Sequence, residues 1–248
     1  EFRRVLFRSR GPDQLRTVNI ARRMVDAGSA VAVMGNHELN AIAWHTPDPR
    51  SPGEFLRPHA SPSWGTKNRK QHEAFLAEVE ADATLHTELI DWFLALPLWL
   101  ELPGLRVVHA CWHQRFMDWL APQLVEGERL TRELMVAATT EPDEPSEKDN
   151  GTPSIFKAVE ALLKGLEVPL PGGASFTDKD GHRRTRGRVR WWDDADWTFR
   201  EGVLGPANRD ELPADPLPAY VQLPFGTTPV CFRSEEHTSE LQSRGLIS

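Results

Sequence analysis

The hydrophobic residues of this chain recur at helical spacing in some segments and in short unbroken runs in others. Residues 13–27 carry an apolar side chain at every third or fourth position, which predicts a helix that Asp13 caps and Gly28 ends. The apolar run over residues 29–34 predicts a buried strand directly after it. A helix followed by a strand is typical of a layered α/β core. Gly35 then stands at the carboxyl end of that strand, where α/β proteins gather ligands and catalytic groups.

The same mixture of patterns continues to the end of the chain. A β-hairpin is predicted around the turn at Pro103 and Gly104, and His109 stands directly after its second strand. The other predicted elements are a loop over residues 45–65, two helices over 68–96, a helix over 116–138, an acidic solvated loop over 139–151, an amphipathic helix over 154–166, a basic strand over 183–190 and a short strand over 220–223.

Composition restricts the classes of function. The chain has 248 residues, of which 40% are hydrophobic, and a formal net charge of -7. These values predict one soluble domain, or one domain with an inserted lid, and they argue against a general binder of nucleic acid. No apolar run approaches the ~18 residues of a membrane span, and no signal peptide is visible. Cys111 and Cys231 form no disulfide framework, so a cytoplasmic location is expected.

The two ends of the chain are related to each other through DNA. Residues 1–9 read EFRRVLFRS and residues 233–241 read RSEEHTSEL. One DNA segment, GAG TTC AGA CGT GTG CTC TTC CGA TCT, encodes the first, and its reverse complement encodes the second residue for residue. Such a pair resembles a sequencing-library adapter translated in frame at both ends. We therefore predict that residues 1–9 and 233–248 are foreign tails and that residues 10–232 are the natural sequence.

The tetrapeptide at residues 35–38, GNHE, carries the groups that hydrolysis at a metal centre needs. Gly35 lets the backbone turn off the strand and approach an ion closely. Asn36 offers a neutral carbonyl oxygen that suits a hard divalent cation. His37 can protonate a leaving-group oxygen near neutral pH. The alternative interpretation is an asparagine that caps a helix beside a surface histidine.

The surroundings of GNHE carry a resemblance to a known family. Arg10, Gly11 and Pro12, followed by a helix, an apolar strand and GNHE, resemble the calcineurin-like metallophosphoesterase superfamily. Its first blocks read GDxHG and GDxxDRGP, and a later strand ends in a metal-binding histidine, as at His109. The branch that the chain most resembles contains bacterial serine/threonine protein phosphatases and symmetrical dinucleoside tetraphosphatases.

The resemblance implies a fold, a cofactor and a substrate class. The fold would be an α/β two-sheet sandwich flanked by helices, incomplete here, with a helical and loop lid inserted at about residues 117–197. Two divalent ions (Mn, Fe, Zn or Mg) would be the cofactor, with Asn36 and His109 as ligands of the second. His37 would be the general acid or would stabilise the attacking hydroxide, and Arg10 would bind the substrate phosphate. The partner would be a phosphoprotein or a phosphorylated small molecule such as a nucleotide, with no nucleic acid polymer and no membrane.

Departures from the family pattern predict that this chain is impaired. Leu6 stands at the place of the bridging aspartate, and Ser9 replaces the second aspartate of that block. The last block, GH, is missing, although residues 228–232 look like the strand that leads into it. Two neutral ligands without a carboxylate bridge hold a divalent pair poorly. We expect little activity from this chain and an active enzyme in its full-length parent. A non-catalytic relative that binds a phosphorylated ligand, or an unrelated α/β protein with a chance GNHE, are the alternatives.

Several further residues leave two interpretations open. Arg186, Arg188 and Arg190 share one face of the predicted basic strand, where Arg186 and Arg190 would bind substrate phosphate or would pair with nearby acids. The remaining candidates are Trp191, Trp192 and Trp197, which would stack on a nucleobase or pack in the core; His113, an extra metal ligand or a packed side chain; and Cys111, a reactive thiol or a small buried residue.

Overall fold

The computed structural model describes residues 13–179, 181–192, 197–221 and 226–232. It is a mixed α/β structure with small sheets. Both predicted foreign tails and Arg10 lie outside the described residues. The chain divides into two compact units. The first unit contains the described residues up to Leu98 together with residues 124–139, and the second contains residues 99–123 and the described residues from Thr140 onward.

Helices and strands follow one another in an irregular order. Along the chain they are α1 (Gln14–Asp26), α2 (Asn36–His45), α3 (Gly65–Val79), α4 (Ala83–Leu94), β1 (Trp99–Leu102), β2 (Leu105–Val108), α5 (Gln114–Leu120), α6 (Arg132–Thr139), α7 (Pro145–Lys148), α8 (Ile155–Lys164), β3 (Glu167–Pro169), β4 (Phe176–Thr177), β5 (Arg183–Arg184), β6 (Arg186–Val189), α9 (Phe199–Gly202), β7 (Val203–Leu204) and β8 (Val230–Cys231). No helix among the described residues is long and apolar enough to cross a membrane.

Helix α1 confirms the prediction for residues 13–27, but its start is stabilised in a different way. Asp13 has φ 61° and its side chain makes no capping hydrogen bond, so the predicted cap is wrong. Instead, the backbone N–H groups of Gln14 and Leu15 both donate to the carboxylate of Glu78 on α3, at 2.8 Å each. A carboxylate at a helix N-terminus satisfies orphan donors and interacts favourably with the helix dipole. Gly28, at φ 64°, ends the helix as predicted.

The predicted buried strand over residues 29–34 is wrong. These residues are extended or bent without strand pairing, and Val31 is 53% exposed. Their one described backbone contact to a distant segment is the Met34 N–H, which donates to the Pro97 carbonyl at 2.7 Å. A strand persists only where neighbouring backbone groups pair with it, and an apolar run alone does not supply the partner.

Helices α2, α3 and α4 form the core of the first unit. The two helices predicted within residues 68–96 are confirmed as α3 and α4. Leu39 and Ile42 of α2 are buried together with Leu89, Ile90 and Phe93 of α4. Asp82 caps α4 by accepting from the N–H groups of the helix's first turn. This packing holds the start of α2, and therefore the GNHE segment, on a rigid support.

The second unit is built on the hairpin and on α8. The predicted hairpin is confirmed as β1 and β2, which pair antiparallel, and β8 pairs parallel to β2. Helix α8 confirms the predicted amphipathic helix, with Ser154 as its cap and a buried apolar face that includes Val159 and Leu162. A second sheet has the order β3–β6–β7, and β4 and β5 form a third. Gly187 of β6 lies so close to β7 that a Cβ there would meet Val203 at 2.3 Å.

Three other predictions need correction. The single helix predicted over residues 116–138 is split into α5 and α6 by Pro122 and by a turn in which Gly127 and Glu128 adopt positive φ. The acidic segment 139–151, predicted as a solvated loop, contains the short helix α7. The predicted strand over residues 220–223 begins in a 3-10 helical turn, Ala219–Val221, and residues 222–225 lie outside the described residues.

Candidate functional site

The GNHE segment forms the first turn of α2. Gly35 precedes the helix in an extended conformation, and its N–H donates to Oε2 of Glu38 at 2.9 Å. The Glu38 side chain thus folds back over the helix start and places a negative charge at the positive end of the helix dipole. This closed turn fixes the positions of Asn36 and His37. Those two residues are therefore in the helix itself, directly after an extended segment.

Asn36 has a buried oxygen that no protein group satisfies. Its Oδ1 is enclosed within the structure and has no hydrogen-bond partner among the described residues. Leaving such an acceptor unpaired costs about 1–3 kcal/mol, so native proteins avoid it unless a ligand, an ion or a water fills the position. An amide oxygen is a ligand that hard divalent cations accept. The Asn36 oxygen therefore fits the predicted role of a metal ligand. The alternative, an asparagine that caps a helix, does not apply, because Gly35 occupies the capping position and Asn36 is the first residue of the helix.

His37 lies beside a second histidine that the sequence analysis did not single out. The rings of His37 and His72 are 6.4 Å apart, centre to centre, and meet edge to face at 76°. His72 belongs to α3 and is only 5% exposed. Burial, with the neighbouring Arg57 and His37, lowers the pKa of His72 to about 3. His72 is therefore a neutral imidazole at physiological pH.

Arg57 brings a positive charge to the same part of the first unit. The loop that follows α2 turns back on the helix, since the Arg57 N–H donates to the Ala43 carbonyl at 3.1 Å. The guanidinium then donates to Oδ1 of Asn40 at 2.7 Å and to the side-chain oxygen of Gln71. Asn40 is one helical turn from Asn36, so Arg57 reaches the helix face that carries Asn36. No local pattern marks Arg57 or His72, because only the tertiary packing of loop and helices brings them here.

His109 stands where predicted, one residue after β2, and is half-buried. It belongs to the second unit, whereas Asn36 and His37 belong to the first. Strand β8 lies parallel to β2, with Val107 opposite Cys231. Strand β8 therefore ends at the edge of the sheet where His109 stands. The prediction that residues 228–232 contain a strand is confirmed.

The tryptophans near this edge pack mainly as core residues. Trp191 is 6% exposed, and its Nε1–H donates at 2.9 Å to the carbonyl of Ala110, the neighbour of His109. Its ring packs against Phe232 at 4.6 Å between centres. Trp192 is half-buried and lies 5.1 Å from the same phenylalanine. For Trp191 this confirms the packing alternative.

The basic face of β6 has carboxylate partners. Arg186 is half-buried and pairs with Asp149 at 2.7 Å and with Glu167 at 3.1 Å. The guanidinium of Arg190 lies 5.2 Å from the centre of the Trp197 ring, a cation–π contact. The predicted alternation is present, since the positions between the arginines are buried. Substrate binding by Arg186 and Arg190 stays a prediction.

His113 and Cys111 have structural roles. Nδ1 of His113 accepts from the N–H of Phe116 at 3.2 Å and so caps α5, and Nε2 lies 3.3 Å from the Tyr220 carbonyl. With both nitrogens engaged and 3% exposure, His113 is a packed side chain. Cys111 is 1% exposed, and burial raises the pKa of its thiol far above the usual range. A thiol that stays protonated is unreactive, so the small-buried-residue alternative is confirmed.

Comparison with known proteins adds no relative. No protein-family profile matches the chain, and neither a curated protein nor a solved structure matches it significantly. Among the residues that the structure describes, no group of three or more His, Cys, Asp or Glu side chains is arranged to hold a metal ion. The strongest candidate chemistry in the described residues is therefore the cluster around Asn36 and His37 in the first unit, with His109 as the separate candidate in the second.

Proposed function

We propose that residues 10–232 come from a metal-dependent phosphoesterase that hydrolyses phosphate monoesters or phosphoanhydrides of a phosphoprotein or a nucleotide. The observation that carries this proposal is the buried, unpartnered Oδ1 of Asn36 in the first turn of α2. A divalent cation would give this oxygen a partner, since hard cations accept amide oxygens as ligands. The two-sheet sandwich with an inserted lid is the fold that we propose for the parent enzyme.

The second unit supports the proposal independently. His109 follows β2, and the parallel strand β8 ends at the same edge of the sheet. In the family that the sequence resembles, the strand at the position of β8 leads into the last metal-binding block. A histidine beside the end of that strand is the arrangement that such a block requires.

The residues present would divide the chemistry among them. Asn36 and His109 would each donate one neutral ligand atom to the second metal position. When bound, two divalent ions would lower the pKa of a bridging water and neutralise the phosphoryl oxygens. His37, held by the closed first turn of α2, would donate a proton to the leaving-group oxygen. Arg57, whose side chain reaches the Asn36 face of α2, would add positive charge for the phosphate.

We expect little or no activity from this chain itself. Neutral ligands alone bind a divalent pair weakly, and Leu6 stands where the resemblance places the bridging aspartate. In the family that the sequence resembles, the bridging carboxylates precede the position of Arg10, so the source DNA upstream of residue 10 is where to look for them.

The test is to recover that upstream sequence and to measure metal-dependent hydrolysis of p-nitrophenyl phosphate by the restored protein. With Mn²⁺ the restored protein is expected to turn over, and Asn36→Ala and His37→Asn are expected to lower kcat by about 10²-fold or more. Thr87→Ala, at an exposed position of α4 in the same unit, is the control and should retain most activity. A restored protein that stays inert with Mn²⁺, Fe²⁺, Zn²⁺ and Mg²⁺ would favour the non-catalytic relative. Substantial activity of the 248-residue chain would overturn the predicted loss of its metal site.

A further inference from the structure

His72 has a buried nitrogen that lacks a protein partner. The side chain is 5% exposed, and its Nε2 makes no hydrogen bond with any described residue. A neutral imidazole has one N–H donor and one lone-pair acceptor, and burying either of them unsatisfied costs about 1–3 kcal/mol. Buried polar atoms of this kind in native proteins bond to ordered water when no protein group is in reach.

A small cavity lies next to this nitrogen, inside the first unit. It is a half-open pocket with about 20 Å³ of room, enough for about one water molecule. Its walls are formed by α1, α2, α3 and α4, through Gln14, His37, Glu38, Ala41, Gln71, His72, Phe75 and Phe93. Five of these residues carry polar side chains, and a buried water needs two to four polar partners.

The distance between the two histidines suits a bridge. At 6.4 Å between ring centres, their nitrogens are too far apart for a direct hydrogen bond. Two hydrogen bonds of ~2.8 Å through one water span up to ~5.6 Å between nitrogens. Rings whose centres are 6.4 Å apart are within reach of such a bridge when one nitrogen of each ring faces the other.

We propose that this cavity holds one ordered water molecule that bonds to Nε2 of His72 and to the His37 ring, and that His72 is thereby a positioning residue for His37. The hydration site itself is independent of the proposed phosphoesterase activity. Only the catalytic role of His37 rests on that proposed activity. Because His72 stays neutral, it can orient the water without adding a charge to the pocket.

The experiment is solution NMR on the 248-residue chain, because this measurement needs no catalytic activity. Long-range ¹H–¹⁵N spectra report the tautomer and hydrogen bonding of each imidazole, and water-selective exchange spectra report a long-lived water beside the His72 ring. In the unsubstituted chain we expect a water cross-peak to the ring of His72. His72→Phe should lose the bridge and shift the ring-nitrogen resonances of His37.

Two further variants separate positioning from general disruption. In His72→Gln the side-chain amide replaces Nε2, so the water and the His37 resonances should remain close to those of the unsubstituted chain. His113→Phe removes a histidine of similar burial in the second unit and should leave His37 unchanged. Absence of the water cross-peak in the unsubstituted chain would overturn the proposal even if His72→Phe does not fold. Unchanged His37 resonances in His72→Phe would overturn the positioning role. Failure of the restored protein to hydrolyse phosphate would leave these spectra, and the hydration site, unaffected.

Discussion

Two buried polar regions of this molecule differ in how their hydrogen-bonding groups are satisfied. Around the start of α2, Asn36 and His72 each bury a polar atom that has no protein partner among the described residues. Around α8, Lys157 is 8% exposed, yet its Nζ donates to the Glu147 carbonyl at 2.8 Å and to the Asn150 carbonyl and Oδ1 at 2.8 and 2.9 Å. The first region therefore contains buried polar groups without a protein partner, whereas in the second the buried ammonium is hydrogen-bonded to the segment that precedes α8.

This difference in hydrogen bonding is one that residue type alone does not reveal. A lysine, an asparagine and a histidine are all plausible site residues in a sequence, and burial alone does not rank them. Substituting a buried cation that is fully hydrogen-bonded lowers the free energy of unfolding, because its partners lose their bonds. A buried polar group without a partner is itself destabilising, and proteins retain such groups mainly at functional sites. The free energy of unfolding of matched variants therefore tests the comparison.

The largest effect is expected for Lys157→Met. The change removes three hydrogen bonds that the Lys157 ammonium donates, and hydrogen bonds to a charged group each contribute about 1.5–3 kcal/mol. We expect the free energy of unfolding of the second unit to fall by about 3 kcal/mol, measured by urea denaturation followed through tryptophan fluorescence.

The matched control for Lys157 lies on the same helix. Lys164 pairs with Glu160 one turn before it, each side chain being 28% exposed, and Lys164→Met should cost less than about 1 kcal/mol. Equal losses for the two variants would show that Lys157 does not anchor the loop.

Acid should destabilise the first unit through its histidines. The pKa of His72 falls to about 3 in the folded protein, and burial also lowers the pKa values of His45 and His86. Because these folded values lie below the unfolded value of ~6.5, the unfolded chain binds more protons, so stability is full above pH 6.5 and declines as the pH falls toward 3. His72 alone should cost about 2 kcal/mol at pH 5.

The measurement is the urea midpoint at pH 7.5 and at pH 5. His72→Gln cannot titrate, so it should lose less stability between the two values than the unsubstituted chain does. His113 adds a change of the same sign in the second unit and is unaffected by this substitution. An identical loss with and without His72 would contradict its buried neutral state.

A smaller effect is expected on the basic strand face. Arg186→Met removes contacts to Asp149 and Glu167 that are partly exposed to solvent, so we expect a loss of about 1 kcal/mol after screening. Arg184 pairs with Asp178 at a more exposed position, and Arg184→Met should change the free energy of unfolding by less than about 0.5 kcal/mol. If Arg186→Met were neutral or stabilising, the carboxylates would not be its structural partners, and a role in phosphate binding would gain support.

The sequence correctly predicts the helices and strands that are determined by neighbouring residues in the chain. The hairpin follows from its Pro103–Gly104 turn, and α8 from its apolar face and its Ser154 cap, so both are predicted correctly. The strand prediction for residues 29–34 is wrong because a strand needs a paired neighbour, which the apolar run does not specify. The prediction that the Asp13 side chain caps α1 is wrong for a similar reason. The carboxylate that accepts from the first N–H groups is that of Glu78, more than sixty positions away.

The residues of the candidate site also differ in whether neighbouring sequence or tertiary packing places them. Asn36, His37 and His109 are predicted from a short motif and from the ends of elements, and their placement in α2 and after β2 is local. Arg57 and His72 are missed because a loop and a separate helix bring them to α2. Their partners lie 14 or more positions away in the sequence, beyond the range of any periodic pattern.

The smallest effect gives the most direct test of the comparison, because it uses two asparagines one turn apart on α2. Asn40→Ala removes an acceptor of the Arg57 guanidinium at 2.7 Å and should lower the free energy of unfolding by about 1 kcal/mol. Asn36→Ala removes an oxygen that has no protein partner, so it should be neutral within about 0.5 kcal/mol or slightly stabilising. Both are measured by urea denaturation in a buffer that contains a metal chelator, so that no bound cation contributes. A loss for Asn36→Ala as large as that for Asn40→Ala would mean that the Asn36 side chain stabilises the fold by itself, and the argument that its oxygen awaits a cation would fail.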